Sequence, residues 1–107
     1  MIIPKKFKVA GRDYLVKLIS AKEMNKLAGD DMTLGYCLYD PPRLYLNKDF
    51  HKTREWLEQT FLHELIHALK SARGEREHDE IEIDGLASLL HQYFKTAQGD
   101  IGHYEET

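Results

Sequence analysis

The sequence predicts an α+β domain: a small N-terminal sheet, antiparallel or mixed, with two long C-terminal helices packed on one of its faces. Three observations predict it. Runs rich in β-branched and aromatic residues, broken by Gly and Pro, occupy residues 1–50. Apolar residues then recur at helical spacing in two capped stretches, 53–73 and 79–97. The strand-like runs come first and the long helices afterwards, instead of alternating. The chain has 107 residues, which is the size of one domain, so residues 1–107 are read as a single unit.

The elements follow in order. Residues 5–19 read as two strands, with Phe7, Lys8 and Val9 before a turn at Ala10, Gly11 and Arg12. Ser20 with Glu23 three residues later forms a capping box and opens a short helix that ends at Gly29. Residues 34–39 and 43–47 are two further strands, and Asp40, Pro41 and Pro42 between them make a hairpin. Pro42 has no N–H to donate, so the strand beside it is expected at a sheet edge. Thr53 is a good N-cap for a helix over 54–72, which Gly74 closes. Asp79 caps a second helix over 80–96, and a polar tail fills 98–107.

Composition removes several classes of function. There are 15 Lys and Arg against 18 Asp and Glu, a formal net charge of -3. That argues against a nucleic-acid partner, and Lys5, Lys6 and Lys8 are too few for a phosphate track. Hydrophobic residues at 42% and charged residues at 31% are globular proportions. No apolar stretch approaches the ~18 residues that a membrane span needs, so no membrane partner is expected. The first residues lack the apolar core of a signal peptide. Cys37 is the one cysteine, so no internal disulfide forms; a reducing cytoplasm fits, with Cys37 as a small buried hydrophobe.

Six histidines point weakly to metal chemistry. The strong signal is His63-Glu64-Leu65-Ile66-His67 inside the first long helix. Residues four apart leave a helix on one face, so both imidazoles can hold one Zn²⁺. Leu62, Leu65, Ile66 and Leu69 give the helix its apolar side. Glu64 is placed to take a proton from water on that metal, as general base, without being a ligand itself. The other reading is a helix with two ordinary histidines.

A tetrahedral site with one open position needs a third protein ligand. The second helix offers Glu80, Glu82 and Asp84. Its expected core stripe is Ile83, Leu86, Ala87, Leu90 and Phe94. Glu80 lies on that stripe and Glu82 on the opposite side. A carboxylate at the inward start of an apolar stripe is costly unless bound, so Glu80 is the expected ligand; its alternative role is a first-turn acid serving the helix dipole. Asp84, one turn on, is placed to accept the free ring N–H of a ligand histidine, or else is a solvated helix acid.

Residues 53–96, with His63-Glu64-x-x-His67 followed by Glu80-x-x-x-Asp84 ahead of Gly85, resemble the gluzincin metallopeptidases. They are similar in particular to compact zincin-like proteins of phages and mobile elements and to ImmA/IrrE-type domains. The short connector between His67 and Glu80 leaves no insertion for extra substrate pockets. The resemblance implies zinc-dependent hydrolysis of peptide bonds. His63, His67 and Glu80 would bind the metal, and Glu64 would act as base and then as proton donor. It also implies a peptide or protein substrate lying as an extended strand along a sheet edge. Leu44, Tyr45 and Leu46 are the candidate edge, which otherwise is simply a protected edge strand.

No residue stands out as partner for the oxyanion; Tyr93 and His91 are weak candidates. His51 and His78 lie near helix starts and are expected to be solvated. The tail, with His103, Glu105 and Glu106, could fold into the cleft and keep an enzyme latent, or be a free acidic end. A non-catalytic binding module with structural zinc is the rival function.

Overall fold

A two-residue turn begins the fold. In a computed structural model of the chain, which describes residues 1–102, strands β1 (Lys6–Val9) and β2 (Arg12–Ile19) pair antiparallel around Ala10 and Gly11. Both turn residues have positive φ, 51° and 77°, the geometry that matches the twist of a hairpin. Helix α1 (Ala21–Ala28) follows, with the Ser20–Glu23 capping box formed and Gly29 in the left-handed conformation that ends the helix. Strands β3 (Gly35–Tyr39) and β4 (Pro42–Asn47) make the second hairpin. Helices α2 (Arg54–Ala72) and α3 (Glu80–Thr96) complete the fold, capped by Thr53 and Asp79. The architecture is α+β, and no helix among the described residues is long and apolar enough to cross a membrane. His103, Glu105 and Glu106, and with them the latency idea, lie outside the described residues.

The sheet is mixed, in the order β1-β2-β4-β3. This corrects the expected edge. Strand β4 is interior, parallel to β2 on one side and antiparallel to β3 on the other. Leu44, Tyr45 and Leu46 therefore spend their backbone groups on two neighbours and offer no free edge to a peptide. Pro42 is compatible with an interior strand because the β2 ladder begins one residue later, pairing Leu15 with Arg43. The outer strand on that side is β3.

Alternation along the strands divides the two faces. Leu44 and Leu46 point to α2 and join Phe61, Leu62, Ile66, Ile83 and Ala87 in the core. Tyr45 points the other way, where Ile19 of β2 and Leu27 of α1 border the same shallow hollow. Helix α1 thus covers one face, and α2 and α3 stack on the other. Helix α2 is the middle layer. It buries Glu58, Thr60, Phe61, Leu62, Glu64, Ile66 and Ala68, while Leu69, expected on its apolar side, is exposed.

Helix α3 departs from its expected stripe. Ile83, Ala87 and His91 are buried, at spacings of four. Leu86, Leu90 and Phe94 are each one residue off that line, roughly 100° around the helix, and stand exposed. The apolar pattern marks a wide face, but the single crossing with α2 covers only one edge of it.

His91 meets Glu58 of α2, which is only 2% exposed. Its Nε2 donates to Glu58 Oε1 at 2.8 Å, and Arg54 Nε donates to the other oxygen at 3.2 Å. Burial works against the charge on Glu58, but the hydrogen bonds from His91 and Arg54 outweigh it and hold the carboxyl below its ordinary range. A carboxyl with a lowered folded pKa stabilises the fold above its unfolded pKa and loses that contribution as pH falls. Replacing His91→Ala leaves Glu58 short of a partner. The expected loss is ~1–3 kcal/mol at pH 7 by urea unfolding, shrinking as pH falls below the ordinary carboxylate range. Equal stability of the two proteins at pH 7 would contradict it.

Candidate metal centre

Helix geometry sets the arrangement. His63 and His67 are four residues apart on α2 and leave it toward the start of α3. Glu64 is turned by roughly 100° from His63 and faces β3. The Asp79 cap, whose side chain accepts from the N–H groups of Ile81 and Glu82, starts α3 where Glu80 meets both histidines.

His63 Nε2 lies 2.8 Å from Glu80 Oε2, and His67 Nε2 lies 3.1 Å from Glu80 Oε1. The two Nε2 atoms are 3.3 Å apart. Zinc bonds of ~2.0–2.1 Å at tetrahedral angles put ligand atoms ~3.3 Å from one another. The three side chains could hold a metal ion, with one ligand atom of each within 4.8 Å of the others, and they form the one group of this kind among the described residues. Glu80 is 62% exposed. No bound metal is needed to relieve its burial, contrary to expectation; its position rests on the cap and on the helix crossing.

Asp84 accepts from His63 Nδ1 at 2.7 Å. This is the arrangement expected of it, and it leaves the His63 Nε2 lone pair facing the cluster. Burial lowers the pKa of His67, helped by the neighbouring His63 and His78, with the Glu80 charge opposing. The net shift favours the neutral imidazole that a metal requires.

Glu64 is buried, 8% exposed, with its carboxyl turned to the hollow under β3. Burial, assisted by the Glu80 charge and opposed by His63, pushes its carboxyl up to about 7. Its close neighbour is Gly35 at the start of β3. A Cβ on Gly35 would meet Glu64 Cγ at 2.8 Å and Thr60 Cγ2 at 2.9 Å, so only glycine lets the strand pass this close.

Three adjoining hollows form one cleft. A cavity of about 350 Å³ is bordered by Leu34, Trp56, Thr60 and Ala87 as well as His63 and Glu64. A second, of about 280 Å³, lies over the cluster between β3 and α3. A third, of about 570 Å³, runs past His67 to Ser71, Arg76 and His78.

Several residues emerge that sequence reasoning missed. Tyr39 borders two of the hollows. Its phenol is shifted upward, first by burial and then by Cys37, Glu64 and Glu80, so it stays a proton donor at neutral pH. Cys37 also borders the cleft and is half-buried, not a core residue. Burial and the Glu64 charge push its thiol up to about 12, with a hydrogen bond to Tyr39 opposing. Gly35, Cys37 and Tyr39 share the inward face of one strand, an alternation legible once β3 is known to be outermost. Tyr93 is exposed, and His91 is buried against Glu58, so neither reaches the cleft.

His51 and His78, expected to be solvated, are both engaged. His51 donates to the Asn47 carbonyl at 2.6 Å, and its Nε2 lies 2.8 Å from Thr60 Oγ1. His78 lies beside His67.

Two outcomes follow. Zinc at ~1,000 times its Kd should raise the unfolding free energy by ~4 kcal/mol, read as a thermal shift that His67→Ala or Glu80→Ala removes. A shift that survives both substitutions would place the metal elsewhere. Gly35→Ala should cost ~1–3 kcal/mol by overpacking, measured by urea unfolding of the metal-free chain; unchanged stability would mean that β3 can retreat freely.

Compared with protein-family models, curated proteins and solved structures, the chain finds no match.

Proposed function

We propose that this chain is a zinc-dependent metallopeptidase of the gluzincin type, with His63, His67 and Glu80 as ligands, Glu64 as general base, and a peptide or protein as substrate. One observation carries the reading. The largely buried carboxyl of Glu64, raised toward neutrality, borders the same cleft as three converging ligand groups. A structural zinc site has no use for such a group and tends to close with a fourth protein ligand.

Zinc, when bound, lowers the pKa of a water and polarises a carbonyl. The rest falls to side chains of this chain. Glu64 takes the proton of the attacking water and hands it to the leaving amide nitrogen, which needs a carboxyl that exchanges protons near neutral pH. Asp84 keeps the His63 ring in one orientation. Tyr39 is placed to donate a hydrogen bond to the oxygen on which charge develops. The outer edge of β3 borders the cleft and suits an extended peptide that pairs with its backbone. A reducing cytoplasm is the proposed setting, in keeping with a single half-buried thiol.

The test is metal analysis and cleavage of a mixed peptide library, comparing the wild type with Glu64→Gln. About one zinc per chain is expected in both. Hydrolysis should fall at least ~100-fold in the variant. Wild type that holds no zinc would end this reading. Zinc without any cleavage would favour a binding module on the same scaffold.

A further inference from the structure

The ligand histidines have unlike partners. His63 leans on the carboxylate of Asp84, whereas His67 leans on a second imidazole, that of His78. We infer that His78 is the positioning residue for His67, accepting its Nδ1–H and so holding its Nε2 lone pair on the metal position. The inference rests on the metal reading above.

The hydrogen assignment follows from a chain of contacts that begins at a group able only to accept. The Glu75 carbonyl oxygen lies 2.9 Å from His78 Nε2, so that nitrogen carries the hydrogen. A neutral His78 then has its lone pair on Nδ1. His78 Nδ1 is 2.6 Å from His67 Nδ1. One of the two must supply a hydrogen, and only His67 has one to give. His67 Nε2 is left as an acceptor, 3.1 Å from Glu80 Oε1 and 3.3 Å from His63 Nε2. The Asp84 contact imposes the same tautomer on His63. Three acceptor atoms thus converge with no hydrogen among them, an arrangement that a cation relieves.

The opposite tautomer fails on the same distances. A hydrogen on His67 Nε2 would occupy the metal position and would set two Nδ1 lone pairs against each other at 2.6 Å. Ring geometry agrees. The two ring planes differ by 24° with centroids 4.9 Å apart, so the rings meet nearly coplanar, edge to edge, along the line of the hydrogen bond.

The backbone that carries this relay is itself held. Glu75 N–H donates to the Lys70 carbonyl at 3.1 Å, and Lys70 Nζ reaches Glu75 at 3.3 Å and Glu82 at 2.7 Å. The connector between α2 and α3 is therefore part of the site. It fixes a carbonyl, the carbonyl fixes His78, and His78 fixes His67. An imidazole in this place orients the ligand without adding negative charge to a cluster that already faces Glu80 and Asp84.

Zinc affinity by chelator competition on the full chain, together with long-range ¹H–¹⁵N spectra of its metal-free imidazoles, tests the inference. His78→Ala should bind zinc ~10–100-fold more weakly. His78→Asn, whose Oδ1 can accept the same hydrogen, should recover most of the loss. The spectra should show His67 protonated on Nδ1 in the wild type and in His78→Asn, with that preference lost in His78→Ala. The wild-type spectrum alone decides the assignment if His78→Ala does not fold. Equal zinc affinity of wild type and His78→Ala, or His67 protonated on Nε2 in the wild type, would overturn the inference and leave the metal reading standing. Wild type that takes up no zinc would remove both.

Discussion

Helix α2 is covered on two sides at once, and the remaining features depend on that. The sheet takes one side through Phe61, Leu62, Leu44 and Leu46, and α3 takes another through Ile66, Ile83 and Ala87. A helix in the middle layer has little free surface. What it has is the groove where β3 and the start of α3 diverge, and His63, Glu64 and His67 line that groove. Helical rotation then divides their roles. Residues 63 and 67 face α3 and meet a carboxylate. Residue 64 faces the outer strand and meets a glycine. The five-residue motif presents two different surroundings because the two neighbours of α2 differ.

Two buried carboxyls on this helix show what such neighbours do. Glu58 and Glu64 are both nearly inaccessible. Glu58 receives hydrogen bonds from His91 and Arg54, and its pKa falls in spite of burial. For Glu64 burial prevails and raises the carboxyl to about 7. Six residues apart, the same side chain is held toward its anionic form in one place and raised toward neutrality in the other. Environments that push like groups apart in this way are how one fold separates structural from acid–base duty. Glu58 clamps α3, while Glu64 is the carboxyl that the proposed function asks to exchange a proton.

Much of this was legible locally. Caps, turns and helix limits depend on a few adjacent residues, so Ser20, Thr53, Asp79 and Gly29 announce their roles directly. The His63–His67 spacing follows from helical periodicity, which also puts Glu80 on the side of α3 that meets them, although Glu80 is exposed and not buried as its selection supposed. What stayed hidden depends on partners distant in the chain. The place of β4 inside the sheet is set by its parallel pairing with β2, across the whole of α1 and β3. Pro42 pointed to an edge because its neighbours could not be known. His91 reads as a residue on an ordinary helix until Glu58 is opposite. His51 and His78 look like polar connector residues until Asn47, Thr60 and His67 surround them. Gly35 shows no turn signal, because it serves a close approach and not a bend.

The seam between α2 and α3 explains why so small a domain would benefit from a metal. Only Ile83 and Ala87 of α3 enter the apolar core. Leu89 and Tyr93, and the flank made by Leu86, Leu90 and Phe94, remain exposed. Apolar burial alone therefore docks α3 weakly. The rest of the seam is polar: Glu58 to His91 toward one end, Lys70 to Glu82 toward the other, and His63 to Asp84 between them. The exposed ones among these contribute little singly. A cation drawn to three convergent acceptors does more, since its binding free energy counts directly toward the folded state. On the proposed function the same ion would serve two ends, holding the second helix in place and poising the cleft for hydrolysis. Those ends are inseparable here, because Glu80 opens the helix that needs holding.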